Sequence, residues 1–143
     1  HALIECEKIF NKKFDYVIEL MATNPLKSAK DINNVIKILL KHRADSVIAV
    51  NQLFDHHPAR IKKILKGKLY DFSIKERLES RRQDLKPNAY IRSGSIYAMS
   101  RRFVIKGKRY FSGKSFAYIL PSNRTINIDD ENDLSIAKKK LRN

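Results

Sequence analysis

The stretch Ser28-Ala29-Lys30-Asp31-Ile32-Asn33-Asn34-Val35-Ile36-Lys37-Ile38-Leu39-Leu40-Lys41-His42-Arg43-Ala44-Asp45-Ser46-Val47-Ile48-Ala49-Val50 decides the fold class. Ser28 with Asp31 three residues on resembles a capping box, with Asp in place of the usual Glu. Ile32, Val35, Ile36 and Leu39 then recur at helical spacing, which predicts a helix from about Ala29 to His42. Ser46-Val47-Ile48-Ala49-Val50 is short and rich in β-branched residues, which predicts a strand. Working towards the N-terminus, Tyr16-Val17-Ile18-Glu19-Leu20 reads as another strand, and Ala22-Thr23-Asn24-Pro25 as the turn after it. Ala2 to Asn11 reads as an amphipathic helix with Leu3, Cys6, Ile9 and Phe10 on one face. Helix, strand, helix, strand implies an α/β fold with right-handed crossovers, a parallel sheet and helices on its faces.

Working towards the C-terminus, the pattern changes. From Phe54 to about Arg92 the chain is strongly basic and weakly periodic, and Pro58, Gly67 and Pro87 interrupt it. Arg60 to Ile64 reads as a strand entering a hairpin at Gly67. Residues 54–92 are expected to be an excursion from the sheet rather than a separate domain. Ser95 to Met99 returns as a strand, and Phe116–Leu120 and Thr125–Ile128 are two more extended segments. Asp129 or Asp130 caps a closing helix through Leu134, Ala137 and Leu141. Its last turns carry Lys138, Lys139, Lys140 and Arg142, which suits the helix dipole.

The 143 residues fit one domain, and a hydrophobic fraction of 43% is enough for a core. A formal net charge of +15 favours anionic partners: nucleic acid, an anionic membrane surface, or phosphorylated and carboxylated small molecules. The single cysteine, Cys6, cannot close an internal disulfide, which fits a reducing, cytoplasmic setting. No apolar run approaches the ~20 residues needed to span a bilayer. The start, His1-Ala2-Leu3-Ile4-Glu5-Cys6, reads as the middle of a helix, so a fragment of a longer chain is expected.

Three groups of residues carry chemistry. In Ile126-Asn127-Ile128-Asp129-Asp130-Glu131 an alternating apolar run stops at carboxylates. Asp129 at a strand end is sited to hold a divalent cation, because magnesium takes one or two carboxylates together with phosphate oxygens. The same residues also serve simply to cap and charge a helix N-terminus, and the spacing leaves both readings open. Arg81-Arg82-Gln83-Asp84 can grip phosphate or carboxylate through paired guanidinium groups, or lie solvated on the surface. Asp55-His56-His57-Pro58 invites a zinc reading, but adjacent histidines in an extended segment point apart and nothing completes the site. There is no glycine-rich phosphate loop, Gly-x-Ser-x-Gly elbow or Cys-x-x-Cys pair.

Six strings in register resemble one family, the acylneuraminate cytidylyltransferases, also called CMP-sialic acid synthetases. Leu20-Met21-Ala22-Thr23-Asn24-Pro25-Leu26-Lys27 is similar to the family's Leu-Gln-Pro-Thr-Ser-Pro-Leu-Arg turn. Asp45 to Val50 resembles the strand that follows. His57-Pro58-Ala59-Arg60-Ile61-Lys62 resembles a His-Pro-x-Arg-x-Lys segment, and Arg81-Arg82-Gln83-Asp84-Leu85 matches an Arg-Arg-Gln-Asp-Leu string outright. Arg92-Ser93-Gly94-Ser95-Ile96-Tyr97 and Ile126-Asn127-Ile128-Asp129 resemble the family's Arg-x-Asn/Ser-Gly-x-Ile-Tyr and Ile-Asp-Ile-Asp strings.

The resemblance implies a Rossmann-like nucleotidyltransferase sheet that is incomplete here, with its N-terminal part missing and residues 54–92 as an inserted basic dimerisation and substrate lobe. It implies a magnesium-dependent reaction of CTP with an acidic nine-carbon sugar, giving the CMP-sugar and pyrophosphate. It also implies a homodimer; no membrane partner is expected, for want of a long apolar run, and nucleic acid is disfavoured. By resemblance Asp129 is catalytic and a metal ligand, with Asn127 at the second metal position. Thr23, Asn24, Lys27, Arg60, Arg81, Arg82 and Gln83 bind substrate. Three departures stand out: Asn127 is neutral where the family often has a carboxylate, Met21 replaces a glutamine, and Lys27 replaces an arginine. The family's glycine- and lysine-containing triphosphate loop has no counterpart, so the C-terminal two-thirds of the domain is expected. The competing readings are a basic nucleic-acid-binding module and a CTP-dependent nucleotidyltransferase for another keto-acid sugar. The first is disfavoured because basic residues are scattered over most segments, and neither a helix-turn-helix nor RNA-stacking aromatics are evident.

Overall fold

A computed structural model describes residues 1–76, 81–107, 110–111 and 113–142, with Arg142 described by its backbone alone. Residues 77–80 of the basic excursion and the side chain of Arg142 therefore lie outside the described residues. The chain divides into two compact units, one of His1–Val50 with Arg92–Asn143 and one of Asn51–Ile91.

The first unit is built on a mixed α/β sheet of strands β1 (Tyr16–Leu20), β2 (Ser46–Leu53), β5 (Ala89–Ser100) and β6 (Ser115–Ile119), in the order β1-β5-β2-β6. Helix α2 spans Ala29–Lys41. The expected capping box is present: Ser28 Oγ accepts from Asp31 N–H, and the Asp31 carboxylate accepts from Ser28 N–H. Val35 and Leu39 are buried with Val47, Ala49, Ile96 and Ala98, and Ile18, Ile32 and Ile38 pack against them. Ile48, Tyr97, Met99 and Phe103 form a second cluster. Alternate residues of β2 and β5 thus fall into different clusters, which is why Ser46–Val50 reads as an unbroken apolar run rather than an alternating one.

Strand β6 runs parallel to β2, from Ser46↔Ser115 to Val50↔Ile119. Strand β5 runs antiparallel to β1, from Tyr16↔Ser100 to Leu20↔Ile96. The sheet is therefore mixed, which corrects the wholly parallel expectation. The alternation of helix and strand that suggested it ends at β2, and β5 returns from the excursion rather than from a crossover helix.

Three local readings also change. Thr125–Ile128 joins no strand ladder; it follows a 3-10 turn at Ser122–Arg124 and leads into α4 (Glu131–Arg142). Helix α1 (Ala2–Ile9) stops short of Asn11 and buries none of its residues, and Ile9 and Phe10 are 75% and 66% exposed. A short helix α3, Arg101–Ile105, was not expected; Ser100 caps it by accepting from Phe103 N–H. It buries Phe103, and its five residues are too few for a helical period to show in sequence.

In the second unit, β3 (Lys62–Leu65) and β4 (Lys68–Asp71) form an antiparallel hairpin. Lys66 and Gly67 have φ of 50° and 76°, as the tightest two-residue hairpin turn requires. Arg60 lies before the hairpin, in a 3-10 turn at Pro58–Arg60.

Candidate active site

The turn after β1 is held from several sides. Met21 N–H donates to Ser95 O at 3.1 Å, and Asn24 N–H donates to Met21 O at 3.2 Å. The Lys27 ammonium donates to Met21 O at 2.6 Å and to Asn24 O at 2.7 Å. Burial pushes its pKa down. Two of the three donors of Lys27 thus shape the turn itself. Asn24 is buried, and its Nδ2 donates to Gly94 O at 3.3 Å and to Asn127 Oδ1 at 2.9 Å. Gly94 has φ of +70°, and a Cβ there would lie 3.6 Å from Asn24 Nδ2, so backbone conformation rather than crowding selects glycine. Thr23 is exposed, and its carbonyl accepts from Ile128 N–H at 2.9 Å.

These bonds bring the acidic segment onto the turn. The Asn127 amide bridges two neighbours: its Oδ1 faces Asn24, and its Nδ2 donates to both Asp129 oxygens, at 2.6 and 2.7 Å. The helix cap is Asp130, whose Oδ1 accepts from Asp133 N–H at 2.9 Å. Asp133 Oδ2 in turn accepts from Asp129 N–H at 3.1 Å. The Asp129 carboxylate is exposed and takes no part in capping. Of the two readings that the spacing left open, capping belongs to Asp130.

A second attachment was not anticipated as part of the site. Asp31 is fully buried and accepts from Arg124 Nε at 2.9 Å and from Arg124 Nη2 at 2.7 Å. Tyr118 OH donates to Asp31 Oδ1 at 2.7 Å, and Ser28 Oγ donates to Oδ2 at 2.7 Å. Burial alone would raise the Asp31 pKa, but the bonds from Arg124, Ser28 and Tyr118 outweigh it and hold the carboxyl far below the usual range. The capping pattern found Asp31 as a cap but gave no sign of Arg124, which lies 93 residues away.

The remaining expected residues lie in the Asn51–Ile91 unit. Arg81 Nε pairs with Asp84 at 2.9 Å, Arg82 pairs with Asp55, and Arg60 lies 3.6 Å from Glu76. Arg81, Arg82 and Gln83 are all exposed, Arg82 and Gln83 in a 3-10 turn at Arg82–Asp84 and Arg81 just before it. His57 is buried: Nδ1 accepts from Ala59 N–H, so Nε2 carries the proton and donates to Pro87 O at 2.9 Å. With both ring nitrogens engaged, His57 belongs to the local fold.

The donor set tests the implied cation. Among the described residues no three His, Cys, Asp or Glu side chains gather into a ready-made site. Magnesium needs no such cage, because it takes one or two carboxylates and completes its shell with water and phosphate oxygens. The exposed Asp129 fits that requirement. Asn127 fits less well, because its carbonyl oxygen already accepts from the buried Asn24.

No family model matches the chain. It is 25% identical over 142 residues to the post-translational flagellin modification protein B of Campylobacter coli, covering 96% of this chain and 57% of that protein. It is 24% identical over 115 residues to the N-acylneuraminate cytidylyltransferase of Streptococcus agalactiae serotype III, covering 80% of this chain and 27% of that enzyme. The chain resembles N-acylneuraminate cytidylyltransferases. It spans little more than half the length of the flagellin-modification relative and about a quarter of the cytidylyltransferase.

Proposed function

We propose that this chain supplies the sugar-side and metal-side part of a cytidylyltransferase, which joins CTP to an acidic nine-carbon keto sugar and releases pyrophosphate. The observation that carries the reading is the release of Asp129 from helix capping and its presentation, on Asn127, beside the Thr23–Asn24 turn. A bound magnesium ion would supply charge neutralisation on the phosphates, and Asp129 is the residue that would hold it. The anomeric hydroxyl attacks the α-phosphorus in line and gives up its proton to water, an oxygen–phosphorus bond forms, and the bond to the pyrophosphate oxygen breaks. Such chemistry depends mainly on positioning and charge. Asn24 and Lys27 keep the turn in shape, and the exposed Thr23 borders the sugar. Arg60, Arg81, Arg82 and Gln83 supply positive charge and donors for the carboxylate and phosphates.

The hairpin supports a second copy as partner. Ile64 and Leu69 pair across β3 and β4 yet are 70% and 67% exposed, and Phe72 beyond them is 61% exposed. Apolar side chains grouped this way mark an interaction surface. Among the described residues no helix is long and apolar enough to cross a membrane.

The test is pyrophosphate release by the intact protein from CTP and Mg2+ with a panel of acidic keto sugars, N-acetylneuraminate included. A CMP-sugar product supports the reading. Release with no sugar of the panel, or equal release from every nucleoside triphosphate, would overturn it.

A further inference from the structure

We propose that Arg124 is a positioning residue for Asp129, acting through the buried carboxylate of Asp31. The inference rests on the cytidylyltransferase reading. A capping box requires only that Asp31 accept from Ser28 N–H, at 2.8 Å here. The Asp31 carboxylate does more, taking two parallel bonds from one guanidinium and a third from Tyr118. Paired bonds of this kind fix an arginine in angle as well as distance.

Arg124 closes the 3-10 turn that immediately precedes the acidic segment. That segment is then tied down again three and four residues later, by Asn127 to Asn24 and by Ile128 N–H to Thr23 O. Both attachments lead to the same stretch, the turn and cap between Thr23 and Asp31. Residues 124–128 are therefore registered at both ends on one short piece of chain, and Asp129 is the next residue out. Without the Arg124 attachment the bonds that tie the segment to that stretch, among the described residues, reduce to the amide contact and one backbone bond. Its carboxylate could then swing by more than the ångström that positioning chemistry tolerates.

The molecule contains its own control. Arg101 grips Glu7 in the same paired manner, at 2.7 and 2.9 Å, but ties α3 to α1, and its hydrogen-bond partners among the described residues, Glu7 and the Asp15 carbonyl, are not site residues. Arg124→Lys and Arg101→Lys keep the charge and lose the paired geometry. Both are made in the intact protein. Three readouts are compared: thermal midpoint, steady-state kinetics with CTP and N-acetylneuraminate (or the sugar of the panel that the wild type uses), and Mn2+ binding at saturating CTP by electron paramagnetic resonance.

Both variants are expected to lower the midpoint. Only Arg124→Lys is expected to lower kcat, by roughly tenfold to a hundredfold. It should also weaken Mn2+ binding, while KM for CTP stays near the wild-type value. Equal kcat and Mn2+ affinity in the two variants would overturn the inference and leave the cytidylyltransferase reading standing. Absence of cytidylyl transfer by the wild type across the panel would overturn both.

Discussion

The two regions that hold the candidate residues are organised in opposite ways. In the turn and acidic segment, polar side chains bond to one another across long stretches of sequence. Asn24 and Asn127 are 103 residues apart, and Asp31 and Arg124 are 93 apart. Their central members, Asn24 and Asp31, are buried. In the basic excursion the pairs span shorter stretches, from three residues in Arg81–Asp84 to 27 in Arg82–Asp55, and the side chains of these two pairs are open to water, 47% to 74% exposed. The first arrangement fixes a geometry in advance. The second presents charge on a surface that can still adapt. A site that must place one carboxylate needs the former, and a site that must attract and hold anions can use the latter.

The largest effect should come from the end point of the fixed region. Asp129→Ala in the intact protein is expected to reduce turnover by at least ~10²-fold, comparable to losing one strong transition-state contact. Because Asp130 makes the cap, the thermal midpoint should hardly move. Near-normal turnover with Mg2+ would remove Asp129 from the chemistry and leave the acidic segment a helix start only.

Next in size is Asn24→Ala. It strips Asn127 Oδ1 and Gly94 O of a common donor. Leaving buried polar groups unpaired costs about 1–3 kcal/mol each, and the cost here lies at the low end because Gly94 is half-buried and Asn127 is exposed. Stability and turnover should both fall, since the amide that orients Asp129 loses its own support. A denaturant melt that separates only slightly from the wild type would show that water replaces Asn24 without loss, and that this region is less fixed than the buried bonds indicate.

In the excursion the expected balance reverses. Arg81→Ala removes an exposed ion pair, and such pairs contribute ~0–1 kcal/mol. Its midpoint should stay within a degree or two of wild type, while KM for the anionic substrates rises by roughly severalfold as one phosphate or carboxylate contact is lost. An unchanged KM would mean that the Arg81-Arg82-Gln83 run is a solvated face, and the contrast between the two regions would narrow to one between a site and a surface.

How much of this was legible in the sequence follows the same division. Helix α2, its capping box and the strands around it are local patterns, so a period of 3.6 and a β-branched run placed them within a few residues. The direction of β5 was not legible, because it depends on what lies between β2 and β5 rather than on the strand's own residues. Asp129 and Asn127 could be singled out from resemblance and position, but their division of labour could not. Which of Asp129 and Asp130 caps α4 depends on backbone geometry one residue wide. The Asp31–Arg124 attachment left no local signature, because each partner has an ordinary reading alone: a helix cap, and a surface arginine before a turn.

The smallest effect tests whether long-range pairing by itself marks a functional region. Glu7 and Arg101 are 94 residues apart, like the pairs at the site, and Arg101 together with Phe14 N–H lowers the Glu7 pKa to about 2. A depressed carboxyl contributes stability that is complete above its unfolded pKa, near 4.5, and is lost as pH falls through the folded value. Glu7→Gln should therefore melt below the wild type at pH 7, and the gap should close between about pH 4.5 and 2. Asp31 titrates in both proteins and so cancels in the difference. Turnover at pH 7 should match the wild type, because this pair joins α1 and α3 away from the turn and the acidic segment. A gap that stays constant down to pH 2 would show that Glu7 contributes packing rather than charge. A fall in turnover matching that of Arg124→Lys would mean that any loss of paired bonds loosens the whole unit. Fixed geometry would then be a property of the fold rather than of the region around Asp129.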